Sequence, residues 1–299
     1  LIKQMMHQQV EDFLRDAGMK AAAHTYVDYY GERDLQFGRL TLLHHEMLGG
    51  SNPDIDQIAA AVEWLVLSAN IIDDWQDRDR KGPPWMKDEA DQALTLENSF
   101  LLLALSILQK MSSKVGQDNC LQTITDHLND ALHGQYLDRR NQMMNEDDYI
   151  SMVQRKSGAL AAVASLSGVL ASGYPCDLQI VEKYSTIIGV CAQLKNDLRD
   201  TLRVEGKSDL VKKKRTLATM YLAEHPSLNG ERIALYYQCG LSEKQLVDEK
   251  ESLEKWIQSS GVILYIDTLR TEQRIYAKEL MDLLPVSDRD KERLEQFLG

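Results

Sequence analysis

The chain has 299 residues, is 43% hydrophobic and carries a formal charge of −12. It is therefore long enough for one large domain or two ordinary ones with a sizeable core, and it lacks the basic excess of a general nucleic-acid binder. Its 17 glycines and 6 prolines are too few for the many tight turns of an all-β fold, and its acidity still admits an anionic substrate if metal ions supply positive charge locally.

Along the chain, residues 1–12 are polar and lack the apolar centre of a secretory signal. Ile58, Val62, Leu65 and Ala69 recur at three- and four-residue spacing and predict a helix over Ile55–Ile72. The same period predicts helices over Gln92–Lys110, Asp118–Tyr136, Asp147–Leu170, Val181–Leu202 and Glu243–Trp256. Between them stand short breaks such as Gly49–Pro53, Lys81–Pro84, Gly173–Pro175 and His225–Ser227. No long linker or fixed-period repeat divides the chain, so the expectation is all-α: one domain over 1–299, a bundle of roughly ten helices. Ser157–Gly173 is dense in Ala, Ser and Gly and apolar on several faces, which suits a central helix that packs closely or lines a cavity. The apolar run Phe100–Leu108 is shorter than the roughly 20 residues a bilayer span needs. A soluble protein is expected, with peripheral membrane contact left open. The four cysteines are far apart with no Cys-x-x-Cys pair, so they read as reduced core thiols of a cytoplasmic protein.

Two segments carry chemistry. Asp73, Asp74 and Asp77 close the apolar helix at 55–72, with Asp73 and Asp77 one turn apart on one face. Three carboxylates this close repel one another unless cations are near, and hard divalent ions take oxygen ligands together with substrate phosphates. One such group is equally compatible with a solvated acidic helix end. Asn196, Asp197 and Asp200 repeat the arrangement after a second apolar stretch, Ile187–Cys191. Two clusters facing across a bundle interior would hold a metal–diphosphate group between them.

From about Gly31 to Leu222 the residues resemble the trans-isoprenyl diphosphate synthase (polyprenyl synthetase) family. Asp73-Asp74-x-x-Asp77 is similar to its first aspartate-rich motif, and Arg80-Lys81-Gly82-Pro83-Pro84 to the Arg-Arg-Gly-x-Pro segment that follows it. Gly134-Gln135-x-x-Asp138 resembles Gly-Gln-x-x-Asp, and Lys156-Ser157-Gly158 resembles the Lys-Thr segment. Gln193-x-x-Asn196-Asp197-x-x-Asp200 resembles the second aspartate-rich motif with Asn at its first acidic place. Gly206-Lys207-Ser208-Asp209-Leu210 and Lys213-Lys214-Arg215-Thr216-Leu217 resemble the closing basic run. The resemblance implies an isoprenoid synthase-type helical bundle with a central cavity, a prenyltransferase activity and a homodimer. It implies Mg²⁺, two or three ions, held by Asp73, Asp77 and Asp197 with Asp74 and Asp200 assisting. Arg80, Lys156, Gln193, Lys207 and Lys214 would bind the diphosphate of an allylic C10 or C15 donor, with Asn196, Gln135 and Asp138 in support. Lys207 and Lys214 also admit the ordinary role of solvated lysines. Ser68 and Ala69, five and four residues before Asp73, would leave room for the chain. Trp75 points away from the Asp73–Asp77 face and reads as packing.

The departures concern the second substrate. Chain-elongating members bind isopentenyl diphosphate through an early Gly-Lys-Arg-x-Arg-Pro segment and a His seven residues before the first motif. Here Gly31–Gln36 keeps the Gly and one Arg, adds Glu32 and Asp34, and Val66 replaces the His. Each lost charge-assisted hydrogen bond removes roughly 1.5–3 kcal/mol. The pattern resembles members that alkylate a tryptophan of a quorum-sensing peptide pheromone precursor, with indole C3 as nucleophile and ring closure by the backbone amide onto C2. The alternatives are a short-chain isoprenyl diphosphate synthase, a terpene cyclase, disfavoured because Val204 stands where its second motif needs Glu, and a non-catalytic subunit.

Overall fold

The computed structural model describes residues 1–77, 82–115, 120–205 and 208–299, with 113–115 as backbone alone. Among the described residues every regular element is helical. The helices are α1 Ile2–Phe13, α2 Ala17–Tyr30, α3 Gln36–Met47, α4 Ile55–Asp77, α5 Ala90–Val115, α6 Cys120–Arg140, α7 Glu146–Val153, α8 Ala159–Ser172 and α9 Leu178–Thr201. A smaller set follows: α10 Leu217–Glu224, α11 Leu228–Tyr237, α12 Glu243–Val247, α13 Lys250–Ser259, α14 Val262–Asp282 and α15 Asp288–Glu295. The expected all-α bundle is present, with more helices than the expected ten because the C-terminal third is cut into short pieces.

Local chemistry explains the boundaries. Asp16, Asp177 and Ser227 cap α2, α9 and α11 by accepting backbone N–H bonds in their first turns. Thr216/Thr219 and Ser242/Gln245 form capping boxes on α10 and α12. Asn52 accepts from the Asp54 N–H at 2.9 Å where the chain enters α4. Gly173 closes α8 in the left-handed region at φ 70°. The helix expected over Glu243–Trp256 is broken between α12 and α13. The Gln245 carbonyl, which a continuous helix would bond to residue 249, accepts instead from Arg232, and Arg232 also pairs with Glu249. The helix expected over Asp147–Leu170 is continuous but contains a π-helical turn, Gln154–Gly158, between α7 and α8.

The buried side chains form two clusters. The larger joins α1 to α6, α8, the first half of α9 and the end of α14. The smaller joins α7, the second half of α9 and α10 to α14. Helices α9 and α14 run through both. The small residues of α8 serve close packing: a Cβ on Gly168 would lie 2.2 Å from the Thr41 carbonyl oxygen, and the Thr41 hydroxyl donates to the Ala164 carbonyl at 2.9 Å. Helix α8 also lends Leu160 and Ala161 to a cavity wall. Helix α4 is long and apolar enough, by length and composition, to cross a membrane, a feature the shorter run Phe100–Leu108 had obscured. Ala59 to Ser68 are all buried beneath neighbouring helices, so α4 is a core helix that delivers Asp73 and Asp77 to the rim of the cavity.

Candidate active site

A cavity of about 780 Å³ opens between α4, α5, α6, the π turn and α9. Its mouth is built by helix ends. Asp73 and Asp77 come from the last turns of α4, Gln135 and Asp138 from the end of α6, and Gln193, Asn196, Asp197 and Asp200 from the end of α9. The π turn adds Lys156 and Ser157, and the segment after α9 adds Asp209 and Lys214. Both acidic motifs thus line one space. Ser68 and Ala69 line its wall. Arg80 and Lys207, expected to bind the diphosphate, lie outside the described residues.

Close backbone approach makes this convergence possible. A Cβ on Gly134 would lie 2.2 Å from the Lys156 backbone nitrogen, and one on Gly189 would lie 2.3 Å from the Ser157 carbonyl oxygen. The π turn is therefore pressed between α6 and α9 at two glycines, a widened helical turn of the kind common at functional sites. Lys156 reaches out from it to Asp138 at 2.6 Å and Asp73 at 3.3 Å. Gln135 donates to Asp73 at 2.8 Å. Lys214 pairs with Asp77 at 3.1 Å, and Arg139 pairs with the other oxygen of the same carboxylate. Across the mouth, Asp197 accepts from the Gln193 amide at 2.7 Å and from the Tyr149 hydroxyl, while Ser157 donates to Gln193 at 2.8 Å. Gln193 therefore orients Asp197. Asn141, itself at φ 52°, holds the basic run in place: its amide donates to the Lys213 carbonyl at 2.8 Å and its oxygen accepts from the Arg215 N–H at 2.6 Å.

The electrostatics follow from burial and charge crowding. Burial works to raise the Asp73 carboxyl, but Lys156, Gln135 and Lys214 outweigh it and hold the group below its usual range. Burial likewise works against the Lys156 ammonium, and Asp138 and Asp73 more than offset it. Lys214 is held well above the ordinary lysine range by Asp138, Asp77 and Asp209 despite its burial. Asp197 and Asp209 are pushed up, chiefly by burial and further by neighbouring carboxylates. Lys214 acts electrostatically on Asp73, Asp77 and Asp197 alike, so it spans both motifs.

Two expected residues have further engagements. Asp74 is 3% exposed and accepts from the Trp85 indole N–H at 2.9 Å. Trp85, wedged edge-on against Tyr26 and Tyr29, thereby ties the turn Pro84–Met86 to α4 and α2. Asp200 lines the cavity but pairs with its neighbour Arg199 at 3.2 Å. Trp75 packs against the core and does not line the cavity. Arg139, Tyr149, Asn141 and Asp209 were missed from sequence. Asp209 lies inside a motif block without having been given a role and Arg139 adjoins another, whereas Tyr149 lies 48 positions from Asp197 and has no local signal.

The residues fit a divalent metal. Among the described lining residues nine carry carboxyl groups and five carry cationic groups, so the cavity has an excess of hard oxygen donors. No three described side chains converge as a complete protein cage, which suits an ion that takes one or two carboxylates and completes its shell with water and substrate phosphate.

Val66, from the middle of α4, and Arg33, Asp34 and Phe37, from the turn into α3 and its start, also line the cavity. The negative charge expected from Asp34 is compensated, since both its oxygens lie within 2.7 Å of the Arg39 guanidinium. Arg33 stacks over Tyr29.

The sequence profile described as Polyprenyl synthetase matches residues 35–253. A relative from Bacillus subtilis (strain 168) named tryptophan prenyltransferase ComQ is 27% identical over 292 residues, covering 97% of this chain and 94% of its own. A short chain isoprenyl diphosphate synthase from Methanothermobacter thermautotrophicus is 27% identical over 265 residues, covering 83% and 80%. In fold, the chain superposes on a heptaprenyl diphosphate synthase from Staphylococcus aureus with TM-score 0.82 and 19% identity, over 99% of this chain and 94% of that one. With a profile match over most of its length and two acidic motifs lining one cavity, the chain belongs to the polyprenyl synthetase family and is a prenyltransferase.

Proposed function

We propose that the protein transfers a C10 or C15 prenyl group from its allylic diphosphate to a tryptophan of a peptide pheromone precursor used in quorum sensing and competence. The carrying observation is an asymmetry of the cavity. The ends of α4, α6 and α9 gather carboxylates and, with the π turn and the segment after α9, lysines suited to one diphosphate. The middle of α4 and the turn into α3 present Val66 and an Asp34 carboxylate already neutralised by Arg39, where a second diphosphate would need several basic anchors. Similarity to relatives named for tryptophan prenylation supports the same reading.

The mechanism follows from the chain's own groups. Asp73, Asp77 and Asp197 would hold the Mg²⁺ ions, which when bound supply the positive charge that makes diphosphate a better leaving group. Lys156 and Lys214 stand where they can bind diphosphate oxygens and neutralise charge as the C1–O bond breaks. Gln193 and Tyr149 fix Asp197, and Gln135 fixes Asp73, so little reorganisation accompanies the charge movement. The chain lies past Ala69 and Ser68. The peptide indole enters on the Arg33–Phe37 side, and its C3 bonds to the allylic C1. The backbone amide nitrogen then bonds to C2 and releases its proton. The acceptor must also keep water from the cation, which would otherwise become an alcohol.

A short-chain isoprenyl diphosphate synthase is the second reading, favoured by Arg33 at the cavity wall and by the archaeal relative. Labelled allylic diphosphate with Mg²⁺ is offered either a tryptophan-containing peptide or isopentenyl diphosphate. Labelled peptide is the expected product. A longer prenyl diphosphate with no labelled peptide would replace the first reading by the second.

A further inference from the structure

The cavity changes chemistry with depth. Below Asp73 it runs along α4, α5 and α6, where Leu65, Ser68, Leu101 and Leu128 line it. Ser68 is about 7.5 Å of helix below Asp73, and Leu128 about 15 Å below Asp138. Among the described residues one ionisable side chain lines this lower wall, Glu97 on α5. It is 4% exposed. The Ser68 hydroxyl donates to its backbone carbonyl at 3.4 Å, which sets its level, but no described donor reaches its carboxylate. Burial pushes that carboxyl up to about 7. For packing alone an aliphatic side chain would serve at less cost, because a buried polar group without a partner is destabilising. A hydrocarbon chain laid against Glu97 must strip the remaining water from it, whereas a chain that ends above leaves that water in place.

We infer that Glu97 is a specificity residue for the donor, a polar collar that admits a prenyl chain ending above it and disfavours one that runs on to Leu101 and Leu128. This rests on the cavity holding the allylic diphosphate, though not on the identity of the acceptor. The test is equilibrium binding of uncleavable C10, C15 and C20 allylic thiolodiphosphates in Mg²⁺, without acceptor. Wild type is compared with Glu97→Leu, of similar volume, with Glu97→Met as a second apolar replacement, and with Glu97→Gln. The C20-to-C10 affinity ratio is expected to rise at least about tenfold in the apolar variants and to stay near wild type in Glu97→Gln. An unchanged ratio in both apolar variants, or an equal rise in Glu97→Gln, overturns the collar. Failure of wild type to bind any of the three chains would instead remove the diphosphate site itself.

Discussion

At the residue scale the mouth of the cavity is a set of charges that cannot stand alone. Lys156 is shared between Asp138 and Asp73, and Lys214 pairs with Asp77 within electrostatic range of Asp197. Asp197 takes its described hydrogen bonds from neutral groups, Tyr149 and Gln193. A cation arriving with the substrate therefore meets a carboxylate that no described salt bridge neutralises. Asp197→Asn keeps the shape and most of the hydrogen bonding but removes the charge. Its kcat is expected to fall by about 10²–10³ with unchanged far-UV circular dichroism; a kcat within threefold of wild type would take Asp197 out of the mechanism.

At the element scale, contacts between helices set the site. Gly134 lets α6 touch the π turn, and any side chain there meets backbone. Gly134→Ala is expected to displace Lys156, lower activity, and cost about 1–3 kcal/mol of stability in urea unfolding. Unaltered unfolding and turnover would show that the approach is looser than it looks. A second joint is Glu63, buried on α4, which accepts from the Gly38 N–H and the Tyr30 hydroxyl, both at 2.6 Å, and so ties α2, α3 and α4 together. Burial raises its carboxyl to about 7. Because the folded-state value lies above the unfolded one, the group's contribution is whole below about pH 4.5 and is lost as pH rises through about 7, by up to about 3 kcal/mol. Wild type should therefore lose stability relative to Glu63→Gln between pH 4.5 and 8. A stability difference that is flat across that range would assign the carboxyl an ordinary titration.

At the scale of the whole molecule, one cavity is assembled from segments as distant in sequence as Arg33 and Phe297. Its mouth has more carboxylates than cations, and substrate with metal should complete it. Allylic thiolodiphosphate with Mg²⁺ at 100 times its dissociation constant should stabilise the fold by about 2.7 kcal/mol, read as a rise in Tm. EDTA should abolish both the rise and turnover, and Mg²⁺ should restore them. A shift of equal size in EDTA would exclude metal from the binding site.

Much of this was legible in the chain itself. Three-to-four spacing of apolar residues specified the long helices, because an amphipathic or buried helix must place its apolar groups at that period. The one-turn spacing of Asp73/Asp77 and Asp197/Asp200 put each pair of carboxylates on one helix face for the same reason. Non-local contacts were not legible. The π turn, the division of α12 from α13, the engagement of Asp74 by Trp85, and the joining of Tyr149 to Asp197 depend on which backbones approach closely and which side chains then meet. Local sequence fixes the direction of a side chain on its own helix. Only packing decides what stands opposite it, and in a low-dielectric cavity the opposite partner sets both the charge state and the chemistry.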